Sequence, residues 1–368
     1  MSAVDQTEVA QRLPSGIERG AIDCDIHPAL SSTKELRPFL DEHWQEMLAV
    51  RNIDGLDLTS FPPKADLFSR PDWRPKQGKP GSEIGAVKAD VLDHFDLKFA
   101  IANCLYGAQA AYNEYIGEVL CRAINDWLSK EWLDKDKRLR ASIVVSLANP
   151  EAAAEEIERV AADRRFVQVL VLAMGEALLG RKQFWPIYRV AERLNLPIGI
   201  HAGSTYRHAH SQAGFHSHLV EDYVVQSQGF TAQVLSLIAE GVFAKFPGLR
   251  VVLIESGVTW MPALMWRATK NWRGARIEIP WVRQAPAAIM REHFRLTLQP
   301  FDAPPDPADF ERLMEHFGTD EMFLFSTDYP HWHFDGDDVL PAGMPASLVR
   351  KILVDNPLKT YPRLVEAS

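Results

Sequence analysis

Apolar runs and amphipathic segments alternate along the chain from about residue 20. The eight runs are continuously apolar, as strands buried on both faces are, and they cover residues 20–26, 97–104, 140–147, 166–173, 196–202, 249–256, 293–300 and 322–328. Each is followed by a segment with helical spacing, and these segments cover residues 82–96, 110–132, 149–163, 182–195, 231–247, 260–274, 306–318 and about 345–354. Eight strands with helical connections predict an α/β fold of the (β/α)8 or TIM-barrel type. A doubly wound open sheet is the alternative, but no glycine-rich phosphate loop follows the first run.

One long polar segment interrupts this alternation. We expect residues 20–368 to form a single barrel domain after an N-terminal leader, residues 1–19. Residues 50–81 are rich in proline and polar side chains, and they follow the first strand as an insertion. A loop of this length in a compact domain is commonly functional, so we expect a lid over the barrel mouth. Within it, Arg70 or Arg74 could pair with a substrate carboxylate, although a surface arginine is the simpler interpretation.

Composition narrows the class of partner. The chain has 46% hydrophobic and 24% charged residues, which is typical of globular proteins. A net charge of -9 without a lysine or arginine block gives no electrostatic basis for binding nucleic acid or an anionic membrane, and no apolar run is long enough to span a bilayer. We therefore expect a cytoplasmic protein with a small-molecule partner. The three cysteines are widely spaced, which argues against a disulfide framework.

Metal-binding side chain types occur where the predicted strands end. Asp25 and His27 share one face at the end of the first strand, His201 ends the fifth, Glu255 the sixth and Asp328 the eighth. In TIM barrels the active site lies at this end of the strands. Imidazole and carboxylate groups bind one divalent metal ion, with zinc expected and manganese or iron as alternatives. A single histidine at a strand end can be structural, but four such ends together favour a metal site.

Two loops at the same end offer substrate contacts. The segment of residues 203–219, after the fifth strand, contains Arg207 and His208, which are candidate substrate-binding residues. A second metal site in this histidine-rich loop is the less favoured interpretation. His331 and Trp332 follow the eighth strand and should line the mouth. His331 is a candidate for proton transfer or for holding the loop in place.

Four stretches of sequence resemble a known family. The segments "DCDIHP", "LPIGIHAG", "FPGLRVVLIESGVTWMPALMWR" and "FLFSTDYPHW" are similar to those of the amidohydrolase-related family (amidohydrolase 2), in particular its aminocarboxymuconate-semialdehyde decarboxylase-like branch, over about residues 20–360. The resemblance implies that Asp25, His27, His201 and Asp328 are the metal ligands. It also implies a homo-oligomer, a dimer or larger. The family commonly has a histidine on the sixth strand, where this chain has Glu255.

The resemblance leaves three functions open. The first is a metal-dependent non-oxidative decarboxylase that acts on a small aromatic or unsaturated carboxylic acid, with Glu255, His331 and Asp328 as catalytic residues. The second is a metal-dependent hydrolase of a C–N or C–C bond, in which Glu255 acts as the base for metal-bound water. The third is a barrel that binds a ligand without catalysis. Glu255 favours the second function, whereas characterised relatives favour the first.

Overall fold

Eight parallel strands form one sheet in the order β1 to β8. The computed structural model describes residues 17, 19–56, 69–111, 113–203, 208–304, 306–332, 334, 340, 344 and 346–366, so most of the predicted leader lies outside the described residues. The strands are β1 Ile22–Ile26, β2 Phe99–Ala102, β3 Leu139–Val144, β4 Phe166–Leu172, β5 Ile198–His201, β6 Val251–Ile254, β7 Phe294–Thr297 and β8 Phe323–Leu324. Each of the eight lies within or beside a predicted apolar run.

Hydrogen bonds between the first strand and the chain after the last one bring the two edges of the sheet together. The Cys24 amide donates to the Phe325 carbonyl at 2.9 Å, and the Asp328 amide donates to the Asp25 carbonyl at 3.0 Å. Because β8 turns from β7 towards β1 in this way, it is shorter than the run of residues 322–328 suggested. The predicted (β/α)8 barrel is confirmed as a nearly closed barrel of eight parallel strands.

Helices lie between the strands. In the described part of the chain the α-helices are α1 Glu42–Val50, α2 Ile84–Val87, α3 Glu114–Trp127, α4 Pro150–Val160, α5 Trp185–Arg193, α6 Leu219–Ala239, α7 Val242–Lys245, α8 Trp260–Ala275, α9 Pro286–His293, α10 Pro307–Phe317, α11 Ala346–Arg350, α12 Asn356–Thr360 and α13 Arg363–Glu366. Single π-helical segments extend three of these regions, Lys88–Asp93, Leu128–Leu133 and Lys351–Asp355. Helix α4 begins as its sequence predicts, since the Asn149 side chain accepts a hydrogen bond from the Ala152 amide and Pro150 occupies the first turn.

Helix α6 is longer than predicted. It begins at Leu219 and not at residue 231, because the Glu221 carboxylate caps its start by accepting a hydrogen bond from the His218 amide at 2.8 Å. Val220 and Val224 in this first part are about 70% exposed. Apolar side chains that face solvent break the amphipathic spacing, so the pattern predicts only the second half of the helix. Helices α1, α9, α12 and α13 were also not predicted.

The far end of the predicted insertion returns to the barrel. Residues 57–68 lie outside the described residues. After them, Ser69 pairs with His331 in an isolated antiparallel bridge, and the Arg70 amide donates to the Pro330 carbonyl at 2.9 Å. This segment therefore packs on the loop after β8, at the end of the barrel that holds the candidate site. That the insertion acts as a lid stays a prediction.

Two simpler expectations concern the whole described chain. Cys24, Cys104 and Cys121 are all described and buried, and none of them forms a disulfide bond, as their spacing indicated. None of the described helices combines the length and apolar character needed to cross a bilayer.

Candidate active site

Two buried imidazoles face each other across the end of the barrel. His27 follows β1 and His201 ends β5, with ring centroids 5.0 Å apart. His27 Nδ1 lies 2.9 Å from the Asn103 carbonyl oxygen, and His201 Nδ1 lies 2.6 Å from that of Ala202. A carbonyl oxygen only accepts, so both Nδ1 atoms carry a proton and both Nε2 atoms point to the space between the strands. This anchoring by a carbonyl is the usual arrangement of histidines that bind metals through Nε2.

Three carboxylates surround these Nε2 atoms. His27 Nε2 lies 3.3 Å from Asp25 Oδ1 and 2.9 Å from Asp328 Oδ1. His201 Nε2 lies 3.5 Å from Asp25 Oδ2 and 3.6 Å from Glu255 Oε2. All five side chains are buried. The structure thus brings together the five residues that the sequence placed at the ends of four strands.

Two of these donor atoms lack hydrogen bonds. Among the described residues, Asp25 Oδ2 and His201 Nε2 are buried without a hydrogen-bond partner. Buried polar atoms are normally paired, so these two atoms, which lie 3.5 Å apart, are available as ligands for one cation. The donor atoms of Asp25, His27 and His201 lie within 4.8 Å of one another. The residues therefore fit a divalent metal ion, with imidazole and carboxylate ligands of the kind that zinc and manganese accept.

The electrostatics agree with a bound cation. Burial raises the pKa of Asp25, but His27 and His201 outweigh it and hold that pKa below its usual range. Burial lowers the pKa of His27, but Asp25 and Asp328 raise it by a larger amount, so the net shift of this pKa is upward. Both shifts have one cause: the carboxylates favour positive charge at Nε2. A metal ion would supply this charge in place of protons.

Backbone strain accompanies two of the carboxylates. Glu255 and Asp328 have φ angles of 58° and 56°, in the left-handed region that residues other than glycine rarely adopt. Local bonds hold them there, since the Glu255 amide donates to Thr297 Oγ1 at 3.1 Å and the Asp328 amide donates to Asp25. Such conformations cost roughly 1–3 kcal/mol each and cluster at functional sites. The surrounding fold therefore holds the backbone of these two residues in a conformation that they would not adopt by themselves.

Comparison with known proteins identifies the family. The amidohydrolase family model matches residues 22–363. The chain belongs to the amidohydrolase family. Gamma-resorcylate decarboxylase of Rhodococcus jostii is 26% identical to this amidohydrolase over 262 residues, which are 67% of the chain and 78% of the relative. The family resemblance that the sequence segments suggested is confirmed.

Solved structures share the fold. 5-Carboxyvanillate decarboxylase from Sphingomonas paucimobilis superposes with a TM-score of 0.67 at 18% identity and covers 94% of this chain and 99% of its own. Dihydroxybenzoic acid decarboxylase from Polaromonas sp. JS666 gives a TM-score of 0.62 at 18% identity, and the match covers 94% of this chain and 97% of that one. That structure contains bound manganese and the inhibitor 2-nitroresorcinol. At this identity the likeness shows the barrel alone.

His331 connects the buried site of this amidohydrolase to the mouth. Its Nδ1 lies 2.8 Å from Asp328 Oδ1, and its ring stacks on that of His27 with centroids 4.5 Å apart. Its side chain is 22% exposed, whereas that of Asp328 is fully buried. One face of the ring thus contacts a candidate ligand and part of it reaches solvent, and a role of His331 in proton transfer stays a prediction.

An aromatic pair that the sequence did not reveal lies beside the site. Tyr223 of α6 contacts Trp332 with ring centroids 5.9 Å apart, and the indole of Trp332 donates to the phenol oxygen. Burial raises the pKa of Tyr223, and the nearby charges of Glu255 and Asp328 raise it further. Tyr223 lies in the part of α6 that the apolar pattern did not predict, so it was not recognised as a candidate.

The other predicted substrate contacts lie at the same end of the barrel or outside the described residues. His208 lines a cavity of about 480 Å³ beyond the ends of β3 and β4, together with Gln109, Val145, Leu172 and Met174. None of the candidate metal ligands lines this cavity. Arg207 lies outside the described residues. Trp332 is 47% exposed, as expected for a residue at the mouth.

Asp23 is separate from the site although it shares the face of Asp25. Its carboxylate accepts hydrogen bonds from the Thr327 amide at 3.1 Å and the Thr327 hydroxyl at 2.6 Å. Burial raises the pKa of Asp23 to about 7, against the lowering effect of these bonds. Asp23 thus joins β1 to the chain after β8 and has a structural role.

Proposed function

We propose that this protein is a metal-dependent non-oxidative decarboxylase of a small aromatic or unsaturated carboxylic acid. The observation that carries the proposal is the pair of buried atoms without hydrogen-bond partners, Asp25 Oδ2 and His201 Nε2, beside two further buried donors. Curated relatives named gamma-resorcylate decarboxylase support the reaction type. No redox cofactor is needed, because replacement of the carboxylate by a proton with release of CO2 consumes no oxidant or reductant.

We assign the metal to four ligands, Asp25, His27, His201 and Asp328. Zinc is the ion expected from the sequence, and the manganese in the Polaromonas relative supports manganese as the alternative. When bound, the ion would supply a Lewis acid and a template for substrate oxygens. Elemental analysis of the protein as purified distinguishes the two metals.

The chain's own residues supply the proton and the aromatic contacts. Loss of CO2 leaves the bond electrons on the ring carbon, which must then take a proton. His331 is placed to deliver it from Nε2, because its Nδ1 is held by Asp328 and the ring is partly exposed for reprotonation from solvent. Tyr223 and Trp332 offer aromatic faces and edges to a substrate ring.

Glu255 favours a second candidate, hydrolysis of a C–N or C–C bond. Its Oε2 lies 3.6 Å from His201 Nε2, and its backbone is held in the left-handed region at the end of β6. An ionised carboxylate there can accept a proton from a water molecule that attacks a carbonyl carbon. In decarboxylation the same carboxylate would orient the substrate and not transfer the proton.

One assay separates the two reactions. The protein is loaded with manganese or zinc and incubated with the acids named for its relatives, 2,6-dihydroxybenzoate and 5-carboxyvanillate, and with other aromatic or unsaturated acids. We expect release of CO2 in step with loss of the acid, and neither after removal of the metal by chelation. Loss of a test compound without CO2 would instead support hydrolysis.

Other expectations stay predictions. A homo-oligomer is tested by light scattering, a cytoplasmic location by cell fractionation, and substrate contacts of Arg207 and His208 by the KM of alanine variants. The prediction that residues 50–81 act as a lid is tested by protection of this segment from proteolysis when an inhibitor is bound.

A further inference from the structure

A line of buried polar side chains crosses the barrel interior next to Asp25. Asn103 directly follows β2, Ser142 lies in β3 and Gln168 in β4, and all three are 0% exposed. The interior of a TIM barrel is usually filled by branched apolar side chains. Three neighbouring polar residues at this depth therefore call for a physical reason.

The hydrogen bonds of Asn103 are directional and complete. Its Nδ2 donates to Asp25 Oδ1 at 2.8 Å and to the Cys24 carbonyl at 3.3 Å. Its Oδ1 accepts from Ser142 Oγ at 2.5 Å and from Gln168 Nε2 at 3.1 Å. A flipped amide would set its oxygen against the Asp25 carboxylate and its nitrogen against two donors. The contacts thus determine which end of the amide faces Asp25.

The next residue in the line is fixed in the same way. Gln168 Nε2 also donates to Ser142 Oγ at 2.8 Å, and its Oε1 accepts from the Tyr361 hydroxyl at 3.3 Å. A Cβ atom on Gly199 of β5 would lie 2.6 Å from Gln168 Cδ, so the Gln168 amide packs directly on the β5 backbone. Gln168, at the end of the line remote from Asp25, is therefore held rigidly.

Asn103 contacts a second candidate ligand through its backbone. Its carbonyl oxygen accepts from His27 Nδ1 at 2.9 Å, which directs Nε2, the nitrogen that would bind a metal ion, towards the site. With Oδ1 of Asp25 held by the Asn103 amide, Asp25 Oδ2 is the oxygen left without a hydrogen bond among the described residues. One residue thus orients both ligands from β1.

We propose that Asn103 is a positioning residue that sets the carboxylate of Asp25 and the ring of His27 for metal binding. The inference rests on the proposed metal site. Residues that orient metal ligands typically change metal affinity about 10–100-fold when they are replaced. The side chain of Asn103 should carry this effect through Asp25, since the bond to His27 uses only the backbone.

The test measures metal affinity in the full chain. The Asn103→Leu substitution keeps the approximate volume and removes the donor to Asp25. Titration with Mn²⁺, followed by the electron paramagnetic resonance signal of the free ion, should give a Kd about 10–100-fold weaker than in the wild type. Melting temperatures with a chelator and with Mn²⁺ should show a smaller metal-dependent increase in the variant.

Asn125→Leu is the matched control. Asn125 is 1% exposed, and its side chain donates to the Val144 carbonyl at 3.0 Å and accepts from the Val144 amide at 2.8 Å. It bonds to none of the candidate ligands, so its replacement should lower the melting temperature with and without metal and leave the Kd unchanged.

The outcomes separate this inference from the proposed function. If the wild type binds Mn²⁺ and Asn103→Leu binds it equally well, the positioning role is wrong while the metal site stands. If the wild type binds neither Mn²⁺ nor Zn²⁺, the proposed function itself fails. Should Asn103→Leu not fold, Asn103→Ala replaces it in the test. Alanine also lacks the donor and adds no bulk, so the same loss of Mn²⁺ affinity is expected.

Discussion

Replacing Asp25 by asparagine should remove most of the stabilisation that a metal ion gives to this protein. Among the described residues, Asp25 is the one carboxylate in contact with both imidazoles, 3.3 Å from His27 Nε2 and 3.5 Å from His201 Nε2. The substitution keeps the shape and removes one negative charge. An amide in its place would set its oxygen towards one of the two Nε2 atoms and its NH2 group towards the other.

The size of the effect follows from linkage. An ion at 1,000 times its Kd stabilises the native state by about 4 kcal/mol. At about 2.1 cal/mol/K per residue, the unfolding entropy of 368 residues is about 0.8 kcal/mol/K, so the melting temperature should rise by about 5 °C. Two unit charges about 4 Å apart interact by about 4 kcal/mol at an effective dielectric constant of 20, so loss of one charge beside a divalent ion weakens binding by at least about 1,000-fold. The remaining stabilisation is then at most about 0.4 kcal/mol, or less than about 1 °C.

Differential scanning calorimetry with a chelator and with Mn²⁺ or Zn²⁺ measures this difference. Asp23→Asn is the control, because Asp23 is equally buried and lies two residues earlier, but its carboxylate accepts from Thr327 and from the Asp25 backbone amide and contacts no side-chain atom that would bind the metal. The control should melt at a lower temperature and keep the metal-dependent increase. A full metal-dependent increase in Asp25→Asn would refute the reasoning.

Further predictions concern the reaction and the fold. His331→Asn should retain the metal but lose CO2 release about 10²–10⁴-fold, the range for a lost general acid, and an unchanged kcat would exclude the proposed proton transfer. Glu255→Gln should retain far more CO2 release than His331→Asn, whereas a hydrolase would lose about 10²–10⁴-fold with this variant. Trp332→Ala should raise KM more than it lowers kcat, because this half-exposed ring lies at the mouth; steady-state kinetics decide. Gly180→Ala should cost about 1–3 kcal/mol in a denaturant titration, since a Cβ atom there clashes with the backbone of α6, whereas Gly85→Ala meets open space and should not destabilise.

Helix α6 shows why one part of the site was missed. Its first half carries Val220 and Val224 towards solvent, so the apolar spacing there is not that of a buried face. Tyr223 lies between them and faces the site. In the structure the Glu221 carboxylate accepts from the His218 amide at the start of the helix, but histidine is not one of the side chains that mark a capping box in sequence, so no local signal extended the helix over Tyr223.

Asn103 was missed for a different reason. It ends an apolar run, and a single asparagine after a strand is commonly a turn residue. Its role depends on Ser142 and Gln168, which come from two other strands. The sequence contains no local pattern that relates these three residues to Asp25.

The sequence by itself determined the barrel and the ends of its strands, because periodicity is local and eight apolar runs with helices between them have few ways to be buried. From this it placed Asp25, His27, His201, Glu255 and Asp328 at one end of the fold. Only the tertiary structure decided which atoms meet. The direction of each Nε2 depends on carbonyl groups of other residues, and the oxygen that Asp25 leaves unpaired depends on the neighbouring strand. Such contacts join residues far apart in the chain, so they form and stabilise the site only after the barrel has closed.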